Sequence, residues 1–341
     1  MDEQNNQEKQ PLAPQEKKKN KRLYGRFLIV VIFLVICIDS YSYIYVIMIK
    51  HMTPKNTKII FPILTFFIIL LILLLWSFIA AMNTNPGDIP LYWGFYIGDD
   101  DYKRKRYCLI CNAFKPERSH HCSVCNKCVL NMDHHCPWID NCIGFYNRKF
   151  FMQVLFYSSL ITIYFVISAF YFVYLVVMKI INKKIKYNFN DLFNTGFILI
   201  TYSFILVFSF IITRFFIFHI NLVLNNSTTI ESLDKNAEKD KYNIGKYENW
   251  IQVFGTSKLL FFFPIISEDG RPIGDGLTWK VKEQLSIDIN KVNNSHEGPN
   301  ARSSSNGKSN SQQHGNVVGQ NIEMNNFNRN LNYNTSALSP K

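Results

Sequence analysis

The sequence predicts an all-α membrane protein, with four transmembrane helices and a zinc-stabilised cytosolic cysteine-rich loop between the second and third. Two observations carry this prediction. Residues 27–49, 59–82, 151–178 and 196–224 form long apolar stretches, each exceeding the ~20 residues needed to cross a bilayer core. Between the second and third, seven of the eight cysteines fall within residues 108–142, together with His120, His121, His134 and His135. Thiols and imidazoles at such spacings are zinc ligands.

The elements follow in chain order. Residues 1–26 are a polar tail with the basic run Lys17-Lys18-Lys19-Asn20-Lys21-Arg22. No cleavable signal peptide is expected, because the apolar run that follows is too long for a signal core. Aspartate, not glycine, follows Met1, which excludes N-myristoylation. Residues 27–82 hold the first two helices. The first carries Asp39, a carboxyl inside the membrane that is expected to be a polar lining residue or an interhelical hydrogen-bond partner, and Cys37, which is expected to pack. The second and third stretches carry no charge, and the fourth carries Arg214, which is expected to snorkel. Residues 83–149 form the cysteine-rich loop, and residues 150–224 hold the third and fourth helices. Residues 225–285 are mixed in composition and are expected to fold against the membrane face. Residues 286–341 are rich in Asn and Ser, bury too little apolar surface to fold, and are predicted to be disordered.

Four spans place both termini and the cysteine-rich loop on one side, with residues 50–58 and 179–195 on the other. Lysines and arginines flank both sides and decide little. A thiol cluster that must stay reduced belongs in the cytosol, so both termini and the loop are assigned there, in an endomembrane (Golgi or ER) or the plasma membrane. The net charge of +12 is explained by anionic headgroups of the lipid bilayer. No aromatic-interleaved basic surface supports nucleic acid as a partner. The spans hold too few ionisable residues for the ion path of a metal transporter.

Two tetrahedral zincs need eight ligands, and short C-x2-C hairpins bite one metal through both sulfurs. Cys108 with Cys111 and Cys122 with Cys125 are two such pairs. His121, Cys128, His135 and Cys142 complete them in some pairing. The interleaved one joins Cys108, Cys111, His121 and Cys128 in one site, and Cys122, Cys125, His135 and Cys142 in the other. Both sites are closed, hence structural, and supply most of the loop's folding energy. One cysteine is left over. Spacing alone leaves either Cys136 or Cys142 as the spare. Asp133-His134 before Cys136 and Pro137-Trp138 after it favour Cys136, since a nucleophile needs a base and a group to orient that base.

These residues resemble the DHHC family of protein S-acyltransferases (palmitoyltransferases). Cys108-x2-Cys111, Lys115-Pro116-x-Arg118-Ser119-His120-His121-Cys122, Asp133-His134-His135-Cys136-Pro137-Trp138 and Asn141-Cys142-Ile143-Gly144 match the family's cysteine-rich domain. Asn147, Phe151, Thr228-Thr229-Ile230-Glu231 and the segment from Tyr242 to Gly255 extend the match. Asn85-Pro86-Gly87 departs from the family's Asp-Pro-Gly. The resemblance implies a two-step transfer from a long-chain acyl-CoA (palmitoyl-CoA). Cys136 is the nucleophile, His134 the base, Asp133 its orienting group, and two structural zincs hold the loop. The acceptors are membrane-associated protein substrates with cytosolic cysteines. Trp138 and Phe151 are expected to line the acyl path, and Lys115, Arg118 and His120 to meet the phosphates of coenzyme A. The end wall of the path is expected near residues 37–41 and 161–168, with Tyr41 and Tyr164 as its bulky members. A non-catalytic zinc scaffold of the same fold is the alternative.

Overall fold

The computed structural model describes residues 14–49, 54, 56–94, 106–182, 189–265 and 267–282, with side chains from Leu23 onward except at 46, 179 and 191. The predicted disordered tail, 286–341, lies outside the described residues.

Four long helices dominate. Helix α1 (Pro14–Tyr41) runs on into a π-helical segment, Ser42–Met48, and is followed by α2 (Thr57–Asn83), α3 (Arg148–Ile181) and α4 (Phe189–Leu224). Each contains a span long and apolar enough to cross a membrane: Leu23–Tyr45, Thr57–Asn83, Arg148–Met178 and Leu192–Leu224. An unbroken helix satisfies every backbone group internally, which hydrocarbon demands. The fourth helix begins earlier than its apolar stretch because Asn190, Asp191 and Asn194 add a polar turn at its start. Large apolar side chains such as Phe27, Phe61, Phe170 and Phe210 point outward and are exposed, as lipid-facing residues are.

Helix α3 packs against both α2 and α4. The core between the helices includes Tyr43, Phe67, Phe78, Phe150, Phe165 and Ala169. Tyr43 stacks on Phe67 and tilts against Phe165, with centroids 4.2 and 4.9 Å apart, and its hydroxyl pairs with Ser168 Oγ at 2.6 Å.

The loop between α2 and α3 has little apolar core of its own. It is built from three antiparallel hairpins: β1 (Tyr107–Cys108) with β2 (Ala113–Phe114), β3 (His120–Cys122) with β4 (Lys127–Val129), and β5 (His134–Cys136) with β6 (Asn141–Ile143). The three are repeats at a constant interval. Cys108, Cys122 and Cys136 each end a first strand. Asn112, Asn126 and Asp140 each take a left-handed φ, of 52°, 56° and 50°, just before the second strand, a conformation these residue types tolerate best after glycine. In the first two hairpins the position before that residue is Cys111 or Cys125. In the third it is Ile139.

Asn147 and Gly144 seat the loop on the helices. Asn147 Nδ2 donates to the Cys142 carbonyl at 2.7 Å, and Asn147 Oδ1 accepts from Gly144 N–H at 2.9 Å. A Cβ on Gly144 would meet the Pro86 carbonyl oxygen at 2.6 Å, so only glycine allows this approach. Asn85, at the position of the family's aspartate, accepts from Gly87 N–H at 3.0 Å and donates to Asp88 at 2.5 Å. The turn therefore forms without the charge. Two short helices follow α4: α5 (Thr229–Leu233), opened by a capping box between Thr228 and Glu231, and α6 (Lys246–Phe254).

Candidate active site

The two predicted ligand sets converge. Cys108, Cys111, His121 and Cys128 bring three sulfurs and one ring nitrogen within 4.8 Å of one another, and Cys122, Cys125, His135 and Cys142 do the same. In the first, His121 Nδ1 lies 3.6, 3.2 and 3.9 Å from the sulfurs of Cys108, Cys111 and Cys128. In the second, His135 Nδ1 lies 3.5 and 3.7 Å from those of Cys125 and Cys142. A tetrahedral site with bonds of about 2.3 Å has edges of about 3.8 Å, so both quartets fit a zinc ion. The register explains the interleaving. His121 faces Cys128 across one hairpin, and His135 faces Cys142 across the next. The second and third hairpins thus each bring a histidine–cysteine pair to one site, and the knuckle cysteines of the hairpin before complete it, Cys108 and Cys111 for the first site and Cys122 and Cys125 for the second.

Cys136 belongs to neither quartet. It is buried and reduced. Beside it, His134 Nδ1 is 2.7 Å from Asp133 Oδ2. Burial disfavours charge on His134, but the bond to Asp133 and then the neighbouring Cys136 sulfur outweigh it, holding the imidazole at about 9. Asp133 is fully buried, which opposes its charge. The Arg148 guanidinium and the His134 bond prevail and hold its carboxyl well below the usual range. Thr229 completes the cradle, donating its N–H to Oδ1 at 3.0 Å and its hydroxyl to Oδ2 at 2.7 Å. Arg148 Nη2 lies 3.4 Å from Oδ1.

Sequence reasoning missed one neighbour. His219 of α4 is buried, with Nδ1 4.0 Å from Asp133 Oδ2 and its ring 5.7 Å from that of His134. Phe151 and Phe215 pack edge-on against it at 4.9 and 4.6 Å. In the sequence it is an isolated histidine in an apolar run. Nothing but the fold sets it behind the aspartate.

From Cys136 and His134 a cavity of about 670 Å³ runs into the helix bundle, walled by all four helices. Trp138 and Phe151 stand among its lining residues, as do Cys136 and Pro137. Phe151 also packs edge-on against His134, at 5.2 Å. The expected end wall is only partly met. Ser40 and Ile161 line the cavity, as do Asp39 and Phe165, but Tyr41 and Tyr164 do not. Tyr41 is exposed, and Tyr164 turns away to donate to the Ile63 carbonyl at 2.9 Å. The floor is backed instead by Tyr43.

Arg118 also departs from expectation. It is buried, with Nε and Nη2 on the two carboxylate oxygens of Glu231 at 2.7 and 2.8 Å and Nη1 on Asn226 Oδ1 at 2.9 Å. Its guanidinium is stacked between Tyr242 and Trp279, 4.4 and 4.3 Å from their centroids. It ties the hairpins to the segment after α4, and four of its five N–H donors are spent on Glu231 and Asn226. Lys115 and His120 remain half-exposed beside Arg106. Burial, and then the charges of Lys115 and Arg106, lower the pKa of His120.

Known proteins carry the same pattern. The profile described as DHHC palmitoyltransferase matches residues 101–236. A protein named probable protein S-acyltransferase 13, from Arabidopsis thaliana, is 33% identical over 264 residues, covering 71% of this chain and 86% of its own length. This chain belongs to the DHHC palmitoyltransferase family. Probable protein S-acyltransferase 12 of the same plant is 33% identical, with coverages of 73% and 89%. The bovine palmitoyltransferase ZDHHC20 is 34% identical over 228 residues, with coverages of 63% and 56%. The DHHC tetrad itself, Asp133-His134-His135-Cys136, divides its labour in space. His135 faces a metal quartet, while His134, its immediate neighbour, faces Asp133.

Proposed function

We propose that this protein S-acyltransferase carries a long-chain acyl group from acyl-coenzyme A, through a thioester on Cys136, to cysteine thiols of membrane-associated proteins. The observation that carries the reading is the coincidence of three things at one sulfur. Cys136 is spared by both metal quartets, is paired with a basic imidazole, and opens onto an apolar cavity sized for a lipid chain.

The chemistry follows from the residues. Asp133, fixed by Thr229 and Arg148, holds the His134 ring, and His134 is basic enough to take the Cys136 thiol proton near neutral pH. The sulfur attacks the donor's carbonyl carbon. The carbon–sulfur bond to coenzyme A breaks, and the leaving thiolate receives the proton from His134. In the second half, His134 accepts the proton of a substrate cysteine. That sulfur attacks the acyl carbon, and Cys136 is released. Cys108, Cys111, His121 and Cys128, with Cys122, Cys125, His135 and Cys142, would hold two zinc ions, which fix the hairpins and take no part in the transfer. Lys115 and His120 are proposed to face the donor's phosphates. Arg118 is not.

We place both termini and the hairpins in the cytosol, where free thiols persist. Protease added outside sealed microsomes is expected to reach both tails, and protection of either would reverse the assignment. The central test is labelling with a clickable fatty-acid analogue. Hydroxylamine-sensitive label on the wild type and none on Cys136→Ala is expected. Equal label on both would overturn the function.

A further inference from the structure

The cavity is apolar along most of its length but not at its closed end. Its α1 wall is Val31, Ile32, Val35 and Ile36, and then Asp39 and Ser40. Facing them are Phe67 of α2, Phe165 of α3 and Ile205 of α4, none with a side-chain hydrogen-bonding atom. Apart from Ser40, which stands next to Asp39 in the same wall, the other polar groups at this depth are already paired. Ser42 Oγ meets Thr201 Oγ1 at 2.9 Å, Tyr43 meets Ser168 at 2.6 Å, and Thr162 Oγ1 donates to the Ser158 carbonyl at 2.8 Å. Among the described residues Asp39 has no hydrogen-bond or ion-pair partner. A carboxyl group in either protonation state accepts hydrogen bonds, and a polar group withdrawn from water into hydrocarbon is costly unless it finds a partner.

Depth says what reaches it. Tyr43, one helical turn beyond Asp39, stacks on Phe67 and Phe165. From Phe151, which packs on His134, to Phe165 the α3 wall rises about 21 Å. A long chain held by Cys136 therefore brings its last carbons beside Asp39. A methyl end gains nothing from a carboxyl there, whereas a hydroxyl end donates a hydrogen bond to it.

We propose that Asp39 makes the closed end of the cavity a hydrogen-bonding subsite, and that the enzyme accepts acyl chains bearing a terminal hydroxyl, not plain chains alone. This rests on the transfer reaction proposed above.

The test uses the full chain in lipid nanodiscs. Loading of Cys136 is followed by intact-mass measurement with hexadecanoyl-coenzyme A and, separately, ω-hydroxyhexadecanoyl-coenzyme A. The readout is the ratio of the two loading efficiencies. The wild type is expected to use both donors. Asp39→Leu is expected to lower the hydroxy-to-plain ratio about fivefold, the factor given by one net hydrogen bond of about 1 kcal/mol. Asp39→Asn, which keeps an acceptor, should stay within about twofold of the wild type on the same footing. If leucine disturbs α1, Asp39→Ala carries the same comparison, because each ratio is internal to its variant. An unchanged ratio on removing the carboxyl, as a resident water in place of a ligand would give, overturns the proposal. So does a wild type that loads the plain donor and refuses the hydroxylated one. Loading from neither donor overturns the transfer reaction itself, and the subsite with it.

Discussion

His134 and His135 are adjacent and chemically identical, yet the strand between them turns one toward Asp133 and the other toward three sulfurs. His134→Ala should keep both metals and the melting temperature while losing autoacylation, since the proton acceptor is gone. His135→Ala should lose about one metal per chain and melt lower, because a closed site is opened. Elemental analysis with thermal melting decides this, and equal metal content in the two variants would contradict the assignment. At this scale the sequence was legible where chemistry is local. The C-x2-C spacing and the run of Asp133 to Cys136 disclosed which side chains the fold gathers into the two quartets and beside the buried Cys136 thiol. It was not legible where partners come from afar. Arg118 read as a free charge because Tyr242, Trp279 and Glu231, which enclose it, lie more than a helix pair away along the chain. His219 read as solitary for the same reason.

Among the elements, the third hairpin explains how a metal-binding scaffold came to hold a free thiol. Cys136 stands where Cys108 and Cys122 bind, but its knuckle partner is Ile139, which is buried and lines the cavity. Ile139→Cys should recreate a C-x2-C bite with His134 nearby. Zinc is expected to inhibit that variant, with chelator restoring autoacylation, and a wild-type response to zinc would refute the idea. The repeat could have been read from the sequence, since the same residue types recur at positions 108, 122 and 136 and at 112, 126 and 140. The helices were legible from length and apolarity alone. The cavity floor was not, because which tyrosine faces inward depends on the π-helical segment that rotates Tyr43 between Phe67 and Phe165. Tyr43→Ala removes that floor. It should move the preferred donor to longer chains, each added CH2 gaining about 0.8 kcal/mol while space remains. A series of saturated acyl-coenzyme A donors measures this, and an unchanged length profile would move the floor elsewhere.

At the scale of the whole molecule, the segment after α4 is bound to the hairpins largely through Arg118 and Glu231. Burial works against the Glu231 charge, but the Arg118 hydrogen bonds and charge outweigh it and lower the pKa from its ordinary 4.5. A depressed carboxylate stabilises the fold fully above that ordinary value, and the contribution fades as pH falls through the lower folded value. The melting temperature should therefore drop more steeply on acidification below about pH 4.5 in the wild type than in Glu231→Gln, which should already melt lower at neutral pH. Parallel curves would show that the pair is not a stabilising link. Lys149, Gln153 and Tyr157, successive turns of α3, grip the same segment through the carbonyls of Gly270, Phe261 and Phe262. The chain beyond the fourth helix thus has two separate anchorages.

The hollow among the four helices gives the resting protein an incomplete interior. Side chains that in an ordinary bundle would touch one another stand apart around about 670 Å³. Under the transfer proposed above, a lipid tail carried on Cys136 would become the missing part of the hydrophobic core, covalently attached and replaced at every turnover. Catalysis and folding then draw on the same contacts. The acylated protein should melt above the empty one, as any state that binds only to the folded form requires. A scan of the loaded wild type before and after hydroxylamine would show it. Releasing such a tail to a substrate would undo that packing, so the proposed cycle is expected to meet its resistance at the acceptor step.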